Sequence, residues 1–243
     1  MCLVANDKLL LFKKETPLGV LSVWQDNQFR WMTLGGELEQ GKMLRCEPGD
    51  PVTPMSSIMV TCIESLKHKD KVLNLGLGAA SLERAFINSP NIQITSVEIS
   101  QVVIDCCYQY FALPKTNSVV CEDAFEYLRD TSGNTHFDAV VMDLFEHEKE
   151  PIAYQHERTF KQVKQHLTNN GVLIINSHCQ NNQEVKARIQ TIHLAFSNIL
   201  IVEFNALNNL LFIASNTKLD GLQQRLRSST STTEIIKRLH LIN

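Results

Sequence analysis

The sequence predicts an α/β protein in which a small N-terminal β-sheet precedes a doubly wound, mainly parallel seven-stranded sheet with a terminal antiparallel hairpin. From Lys71 onward, short apolar segments alternate with helix-forming segments, which is typical of parallel sheets with crossover helices. The last two apolar segments are joined only by a short asparagine-rich turn, so they should form the hairpin. Before residue 36, strand-like segments are separated by turns alone.

The N-terminal segment predicts a small β-meander. Asp26-Asn27 has the composition of a hairpin turn between its second and third strands. Because so small a sheet cannot bury a core alone, it should lie on the larger domain or on a second subunit. The predicted strands cover residues 9–14, 19–25 and 29–34.

A linker and a capped helix should connect this sheet to the rest of the chain. Two prolines and a glycine lie between residues 48 and 51. Thr53 then has the position of an N-cap, with Pro54 at the first helical position. The helix should extend to about Lys67.

We predict two domains, a small β-strand domain over residues 1–50 and a larger Rossmann-like α/β domain over residues 51–243. The terminal hairpin should place one antiparallel strand at the sheet edge, and the polar tail from about Lys218 predicts a helix-loop-helix. The remaining predicted strands are 71–75, 92–98, 117–121, 137–142, 171–176, 198–204 and 209–214. The predicted helices between them are 80–88, 101–111, 123–130, 156–168 and 182–196.

Composition limits the classes of partner. The 243 residues carry a formal net charge of −3, which gives no general attraction to nucleic acid or to anionic membranes. No apolar segment approaches the roughly 20 residues needed to span a bilayer, and no signal peptide is evident. The 7 cysteines form neither a C-x-x-C motif nor a metal-binding pattern. We therefore expect a cytoplasmic protein with reduced thiols and no metal site.

Glycines and acids follow four successive predicted strands. Gly76 and Gly78 follow the first, Glu98 ends the second, Asp123 follows the third and Asp143 follows the fourth. In an open parallel sheet these positions meet at one edge, where glycines let the backbone approach a ligand and an acid accepts hydrogen bonds from ribose hydroxyls. The pattern lacks the third glycine of a dinucleotide site. Each acid alone could equally cap the following helix.

Several segments between residues 72 and 176 share the pattern of one known family. They are Leu75–Leu82, Val97-Glu98-Ile99, Tyr110–Pro114, Glu122-Asp123-Ala124, Phe137–Asp143 and Gly171–Asn176. Through these segments, residues 72 to 176 resemble the spermidine synthase (polyamine aminopropyltransferase) family, especially its divergent bacterial spermidine synthase-like members. The N-terminal strands, Leu34-Gly35-Gly36, Gln40 and Asp50-Pro51 also fit that family. The resemblance implies a Rossmann-like fold of the class I S-adenosylmethionine-dependent type and a homodimer.

The resemblance also implies a co-substrate and the residues that hold it. The co-substrate would be S-adenosylmethionine or its decarboxylated form, without a metal. Gly76 and Gly78 would let the backbone pass the methionine-derived tail and the ribose. Glu98 would hold the ribose hydroxyls, and Asp123 with Ala124 would hold the adenine edge.

A small-molecule amine is the acceptor that the resemblance implies, in the context of polyamine biosynthesis. Asp143 has the position of the family's catalytic acid, which orients the attacking amine and takes its proton. Glu146 and Gln40 would bind the cationic substrate.

Three departures from the family pattern leave other functions open. Ala79 stands where the family has an aspartate that binds the amino group of the decarboxylated donor. That aspartate would repel the carboxylate of ordinary S-adenosylmethionine, and Ala79 removes this repulsion. The loop after Asp143 is apolar at Leu144-Phe145, and no aromatic residue occurs from Met32 to Ala85. Methyl transfer, or a catalytically silent nucleoside-binding relative, therefore remain alternatives to aminopropyl transfer.

Overall fold

The computed structural model describes residues 8–36, 39–131, 135–145, 151–205, 207–229, 232 and 234–242. These residues form a 4-stranded antiparallel sheet and an 8-stranded mixed sheet. The smaller sheet contains, in spatial order, β1 (Leu9–Thr16), β2 (Gly19–Gln25), β3 (Phe29–Leu34) and β4 (Glu39–Leu44).

The larger sheet confirms the predicted fold class. Its strands are β5 (Lys71–Leu75), β6 (Gln93–Glu98), β7 (Ser118–Cys121), β8 (Phe137–Met142), β9 (Leu167–Ser177), β10 (Asn198–Phe204), β11 (Leu210–Ser215) and β12 (Ile236–Ile242). They lie in the order β12-β10-β11-β9-β8-β5-β6-β7. Strands β5 to β9 pair in parallel, whereas β11 pairs antiparallel with both β9 and β10.

Helices cover both faces of this sheet. They are α1 (Pro54–Glu64), α2 (Ser81–Ala85), α3 (Gln101–Tyr110), α4 (Ala124–Asp130), α5 (Glu157–Gln165), α6 (Asn182–His193) and α7 (Asp220–Ser228), with a 3₁₀ turn at Ile152–Gln155. On one face, Val72 and Val141 pack with α1, α2 and α7. On the other face, the adjacent residues Leu73 and Val140 pack with α4, α5 and α6. Burial on both faces is what a doubly wound sheet requires. Among the described residues, no helix combines the length and apolarity needed to cross a bilayer.

The predicted start of α1 is confirmed. The Thr53 hydroxyl accepts a hydrogen bond from the Ser56 amide (3.1 Å), and the Thr53 amide donates to the Ser56 hydroxyl (3.2 Å). This capping box satisfies two amides that would otherwise have no partner in the helix, and Pro54 needs none. The helix ends at Glu64, three residues earlier than predicted.

Two predictions about the C-terminal part are wrong. The hairpin strand β11 lies between β9 and β10 instead of at the edge. The tail is a helix followed by a strand, β12, which pairs with β10 and brings the sheet to 8 strands. Ile236, Leu239 and Leu241 of β12 pack against the core, although Lys237 and Arg238 make the segment polar in sequence.

Element boundaries differ at three other places. The sequence pattern does not predict β4, because Gly41 interrupts a mostly polar segment. The predicted helix 156–168 ends at Gln165, since β9 already begins at Leu167. The predicted helix 80–88 is shortened to α2. The division at residue 50 remains a prediction.

The N-terminal sheet lies on the larger sheet's domain within the same chain. Leu21, Val23 and Met32 of its inner face share one buried cluster with Leu77, which follows β5, and Phe111, which follows α3. The small sheet therefore buries its apolar face against the turn after β5, as a sheet too small for its own core must.

Arg84 ties these parts together. Arg84 is 2% exposed, and its guanidinium donates to the backbone carbonyls of Pro48 (2.6 Å), Lys42 (3.2 Å), Phe111 (3.3 Å) and Ala79. Burial lowers the pKa of Arg84 to about 10, so the group stays charged at neutral pH. One cation thus joins β4, the linker, the glycine turn and the end of α3.

Glu83 forms a second buried polar network behind the glycine turn. Its Oε1 accepts hydrogen bonds from Asn74 Nδ2 (2.7 Å) on β5 and from the Ser96 hydroxyl (2.6 Å) on β6. Among the described residues, Glu83 Oε2 has no hydrogen-bond partner. Burial raises the pKa of Glu83, and the two hydrogen bonds oppose this effect.

We expect Glu83→Gln to stabilise the protein increasingly as pH rises. Because the pKa of Glu83 is higher in the folded than in the unfolded chain, the folded state binds its proton more tightly. Wild-type stability should therefore fall as pH rises from the unfolded pKa toward the folded one, whereas the amide has no such cost. Urea unfolding at about pH 5 and about pH 8 measures this difference. Exposed Glu64→Gln is the control, and equal trends in both variants would contradict the expectation.

Candidate active site

The strand order reverses between β5 and β8, which places their carboxyl ends at a switch point of the sheet. Strands β6 and β7 continue from β5 on one side, and β9 continues from β8 on the other. Ligands of open parallel sheets bind outside the carboxyl ends of the strands at such a point. Gly76 follows β5 and Asp143 follows β8 here, and the Asp143 amide donates to the Leu75 carbonyl (3.0 Å).

Gly76 is required by both its conformation and its surroundings. Its φ is +94°, and a Cβ at this position would lie 2.3 Å from the backbone oxygen of Asp143. Its amide donates to the Val97 carbonyl at the end of β6 (2.9 Å). The turn after β5 is therefore held between the ends of β6 and β8.

Gly78 brings the N-terminal sheet to the same turn. Its φ is +52°, and a Cβ here would lie 2.9 Å from the carbonyl oxygen of Gln40 on β4. Buried Cys107 donates from Sγ to the Gly78 carbonyl (3.1 Å), so this thiol supports the turn from α3. The two glycines thus keep a narrow backbone layer between β4 and the strand ends.

Glu98, the last residue of β6, holds the turn that follows β5. Its Oε2 accepts from the Leu77 amide (3.2 Å) and its Oε1 accepts from the Ser100 amide (2.9 Å). Burial raises the pKa of Glu98, while these amides oppose that effect. Because each carboxylate oxygen has a second lone pair, the group can still accept from two ribose hydroxyls. The orientation fits the ribose-binding role predicted for it.

Asp123 serves as a helix cap in the structure. Its Oδ1 accepts from the amides of Phe125 (2.8 Å) and Glu126 (3.0 Å), and Ala124 is buried in the first turn of α4. Both follow β7, the strand next to β6, so they lie at the predicted edge of the sheet. Their predicted contact with adenine remains a prediction.

Asp143 is held by a neighbouring amide. Its Oδ1 accepts from Asn176 Nδ2 (2.8 Å) at the end of β9. Burial raises the pKa of Asp143, and the Asn176 hydrogen bond opposes this effect. The next residue is also fixed, because the Leu144 amide donates to the hydroxyl of buried Tyr154 (3.3 Å), whose carbonyl accepts from Arg188 (2.7 Å).

The structure brings several predicted site residues into contact through backbone atoms. Gly76 lies against Asp143, Gly78 lies against Gln40, and Glu98 holds the turn between the glycines. Glu146 lies outside the described residues. The binding and catalytic roles of all these residues remain predictions.

Sequence reasoning overlooked Asn176 and Asn209. Asn176 lies near the end of β9, so the rule that gathers strand ends at one edge could have identified it. Asn209 precedes β11, and its amide donates from Nδ2 to Asn176 Oδ1 (2.9 Å). This contact depends on β11 lying beside β9, which the sequence pattern does not predict.

The residues at this edge fit a nucleoside-containing donor. The two glycines let the turn lie directly against the backbone of Asp143 and Gln40, and Glu98 supplies acceptors beside it. Asp143 places a carboxylate of raised pKa at the adjacent strand end. Within the described part of the chain, no group of three or more His, Cys, Asp or Glu side chains converges as a metal site would require.

Comparison with known proteins identifies related folds. The family model described as "Spermine/spermidine synthase domain" matches residues 55–207. The chain is also 24% identical over 165 residues to the eEF1A lysine and N-terminal methyltransferase homolog of Drosophila melanogaster. This match covers 63% of this chain and 24% of that protein. It thus spans about a quarter of the length of the first curated relatives that it matches.

Solved structures show the same fold. A probable spermidine synthase from Corynebacterium glutamicum ATCC 13032 has a TM-score of 0.76 at 14% identity, over 90% of this chain and 88% of that one. Human methyltransferase-like protein 13, solved in complex with SAH, has a TM-score of 0.62 at 18% identity, over 72% and 89%. The matched family model covers more than half of the residues of this chain, so the chain belongs to the spermine/spermidine synthase domain family.

Proposed function

We propose that this protein is a transferase that moves an aminopropyl group from decarboxylated S-adenosylmethionine to a small polyamine-type amine. The observation that carries the proposal is the convergence of Gly76, Glu98 and Asp143 at the switch point of the sheet. Membership in the spermine/spermidine synthase domain family supports it. A neighbour of the same fold that was solved with SAH supports a donor of the S-adenosyl type.

In this proposal the glycine turn and Glu98 hold the donor. The turn from Gly76 to Gly78 runs beside the ribose and the tail, in a backbone conformation that the two glycines allow. Glu98 accepts hydrogen bonds from the ribose hydroxyls, with its carboxylate already oriented by the Leu77 and Ser100 amides. This pre-orientation reduces the ordering that binding requires.

Asp143 acts on the acceptor amine. The amine nitrogen forms a bond to the carbon beside the sulfonium, the carbon–sulfur bond breaks, and a neutral thioether leaves. Because a protonated amine has no lone pair with which to attack, it must first lose one proton, and the Asp143 carboxylate accepts that proton. Burial raises the pKa of this carboxyl group, which makes its ionised form a stronger base than an exposed aspartate.

Ala79 favours a second candidate, methyl transfer from ordinary S-adenosylmethionine. Ala79 is 2% exposed, and its side chain faces β4, since a Cβ on Gly41 would lie 2.6 Å from the Ala79 Cβ. An acid that binds a donor amino group would have to enter space next to the β4 backbone. The turn therefore offers no carboxylate from this position to the amino group of a decarboxylated tail.

A comparison of the two donors tests the proposal. The protein is incubated with putrescine-type diamines and either S-adenosylmethionine or its decarboxylated form, and product masses are measured. An aminopropylated amine from the decarboxylated donor would support the first candidate, and a methylated amine from the ordinary donor would support the second. Donor binding without any product would contradict both and identify a silent nucleoside-binding relative.

A further inference from the structure

Asp143 is the first member of a chain of side-chain hydrogen bonds that crosses three strand ends. Asn176 donates from Nδ2 to Asp143 Oδ1 (2.8 Å), and Asn209 donates from Nδ2 to Asn176 Oδ1 (2.9 Å). Asn176 is 7% exposed, so the residue as a whole is almost completely removed from solvent. The chain of bonds runs from the turn before β11, across β9, to the end of β8.

The fold explains why these residues meet. Because β11 is antiparallel to β9, the start of β11 lies beside the end of β9, and Leu211 is paired with Asn176. Asn209 therefore reaches the edge where the parallel strands deliver their carboxyl ends. An antiparallel strand at the outer edge of the sheet, as the sequence predicts, would not bring it there.

The two bonds together fix the orientation of the Asn176 amide. An asparagine side chain has one accepting end and one donating end. Asn209 donates to the accepting end, so the donating end is directed to Asp143. Without Asn209, the accepting end of Asn176 would lose this partner, and its amide would be held only through the bond to Asp143.

We propose that Asn176 and Asn209 are positioning residues that hold Oδ1 of Asp143 and so direct its other oxygen, Oδ2, toward the acceptor amine. This inference rests on the proposed function of Asp143. It adds to that function two residues that act through the carboxylate. Neither of them needs to contact the donor or the acceptor.

The inference is tested by Asn176→Leu and Asn209→Ala, with Asn198→Ala as control. Asn198 donates to the Ser215 carbonyl (3.5 Å) at the opposite end of the β10–β11 hairpin, so its loss should leave Asp143 undisturbed. Two readouts are needed, kcat and KM for the amine and the titration of the Asp143 carboxyl carbon by NMR. The second readout does not require turnover.

Misplacement of a reacting group costs mainly kcat, so we expect kcat to fall by about tenfold or more in both variants, with amine KM within about threefold of wild type. Loss of the Asn176 bond should also raise the pKa of Asp143, with a smaller rise for Asn209→Ala. An unchanged Asp143 titration in both variants would overturn the inference. If wild type turns over no amine, the proposed function fails, but the titration still decides the positioning.

A folding defect is distinguishable from loss of positioning. Asn209 is only partly buried in a turn, so its alanine variant should keep the wild-type unfolding midpoint even if Asn176→Leu does not. A fall in kcat with unchanged stability in Asn209→Ala supports the inference by itself. Wild-type kcat and titration in a folded Asn209→Ala protein would contradict the role of Asn209.

Discussion

Replacing Gly76 with alanine is expected to abolish donor binding and to destabilise the fold by about 2–5 kcal/mol. The new Cβ would lie 2.3 Å from the Asp143 backbone oxygen. The φ of +94° at this position is also one that residues with a Cβ rarely adopt. Relief of this clash must displace either the turn after β5 or the end of β8. Either movement separates Glu98 from the turn it holds, or moves Asp143.

Gly221→Ala is the matched control for this experiment. Gly221 lies in α7, where an added Cβ would meet its nearest neighbour, a guanidinium nitrogen of Arg225, at an ordinary 3.6 Å. Alanine is favoured over glycine in helices by about 1 kcal/mol, so this change should be neutral or stabilising. Urea unfolding and donor titration measure both effects. Wild-type donor affinity in Gly76→Ala would contradict the assigned position of the donor.

Asp143→Asn is expected to lower turnover of the amine by about 10²- to 10⁴-fold, with donor affinity within about threefold of wild type. The amide has nearly the size of the carboxylate, and its oxygen can still accept from Asn176. The variant loses the negative charge that orients the amine and the ability to take its proton. Kinetics under saturating donor, together with donor titration, separate these two effects.

The start of β8 provides a control for Asp143→Asn. Asp138 lies at the other end of the strand, where its Oδ2 accepts from the Lys71 amide (3.2 Å). Asp138→Asn should leave turnover unchanged. Unreduced turnover in Asp143→Asn would contradict a role for this residue in the mechanism.

The pH dependence of the wild-type protein gives an independent test of Asp143. Turnover should rise with pH through the raised pKa of Asp143, since only the ionised group accepts a proton.

The parts of the site that depend on short-range patterns could be predicted from the sequence. Gly76 and Gly78 follow an apolar strand, and Glu98 ends the next one, so the rule for strand ends places them at one edge. The turn that contains the two glycines is held by hydrogen bonds to Val97 and Glu98 at the end of β6. Asp123 follows the same rule, but the structure also shows the capping role that local sequence equally allowed.

The parts that depend on long-range pairing could not be predicted in this way. Asn209 and Asn176 meet because β11 lies between β9 and β10, and strand order is not encoded in local periodicity. Gln40 reaches Gly78 through β4, a polar strand with no clear alternation. The tail of the chain shows the same limit, because β12 becomes recognisable only through its pairing with β10.

Calorimetric titration of the protein with S-adenosylmethionine, its decarboxylated form and their thioether products tests the nucleoside site most directly. Wild type should bind at least one of these ligands. Glu98→Ala should weaken that binding by about tenfold or more, since hydrogen bonds to a charged group contribute about 1.5–3 kcal/mol each. Glu203→Ala, which removes a carboxylate paired with His240 away from the turn, should bind like wild type. No binding by wild type, or equal binding by wild type and Glu98→Ala, would contradict a nucleoside site at this edge of the sheet.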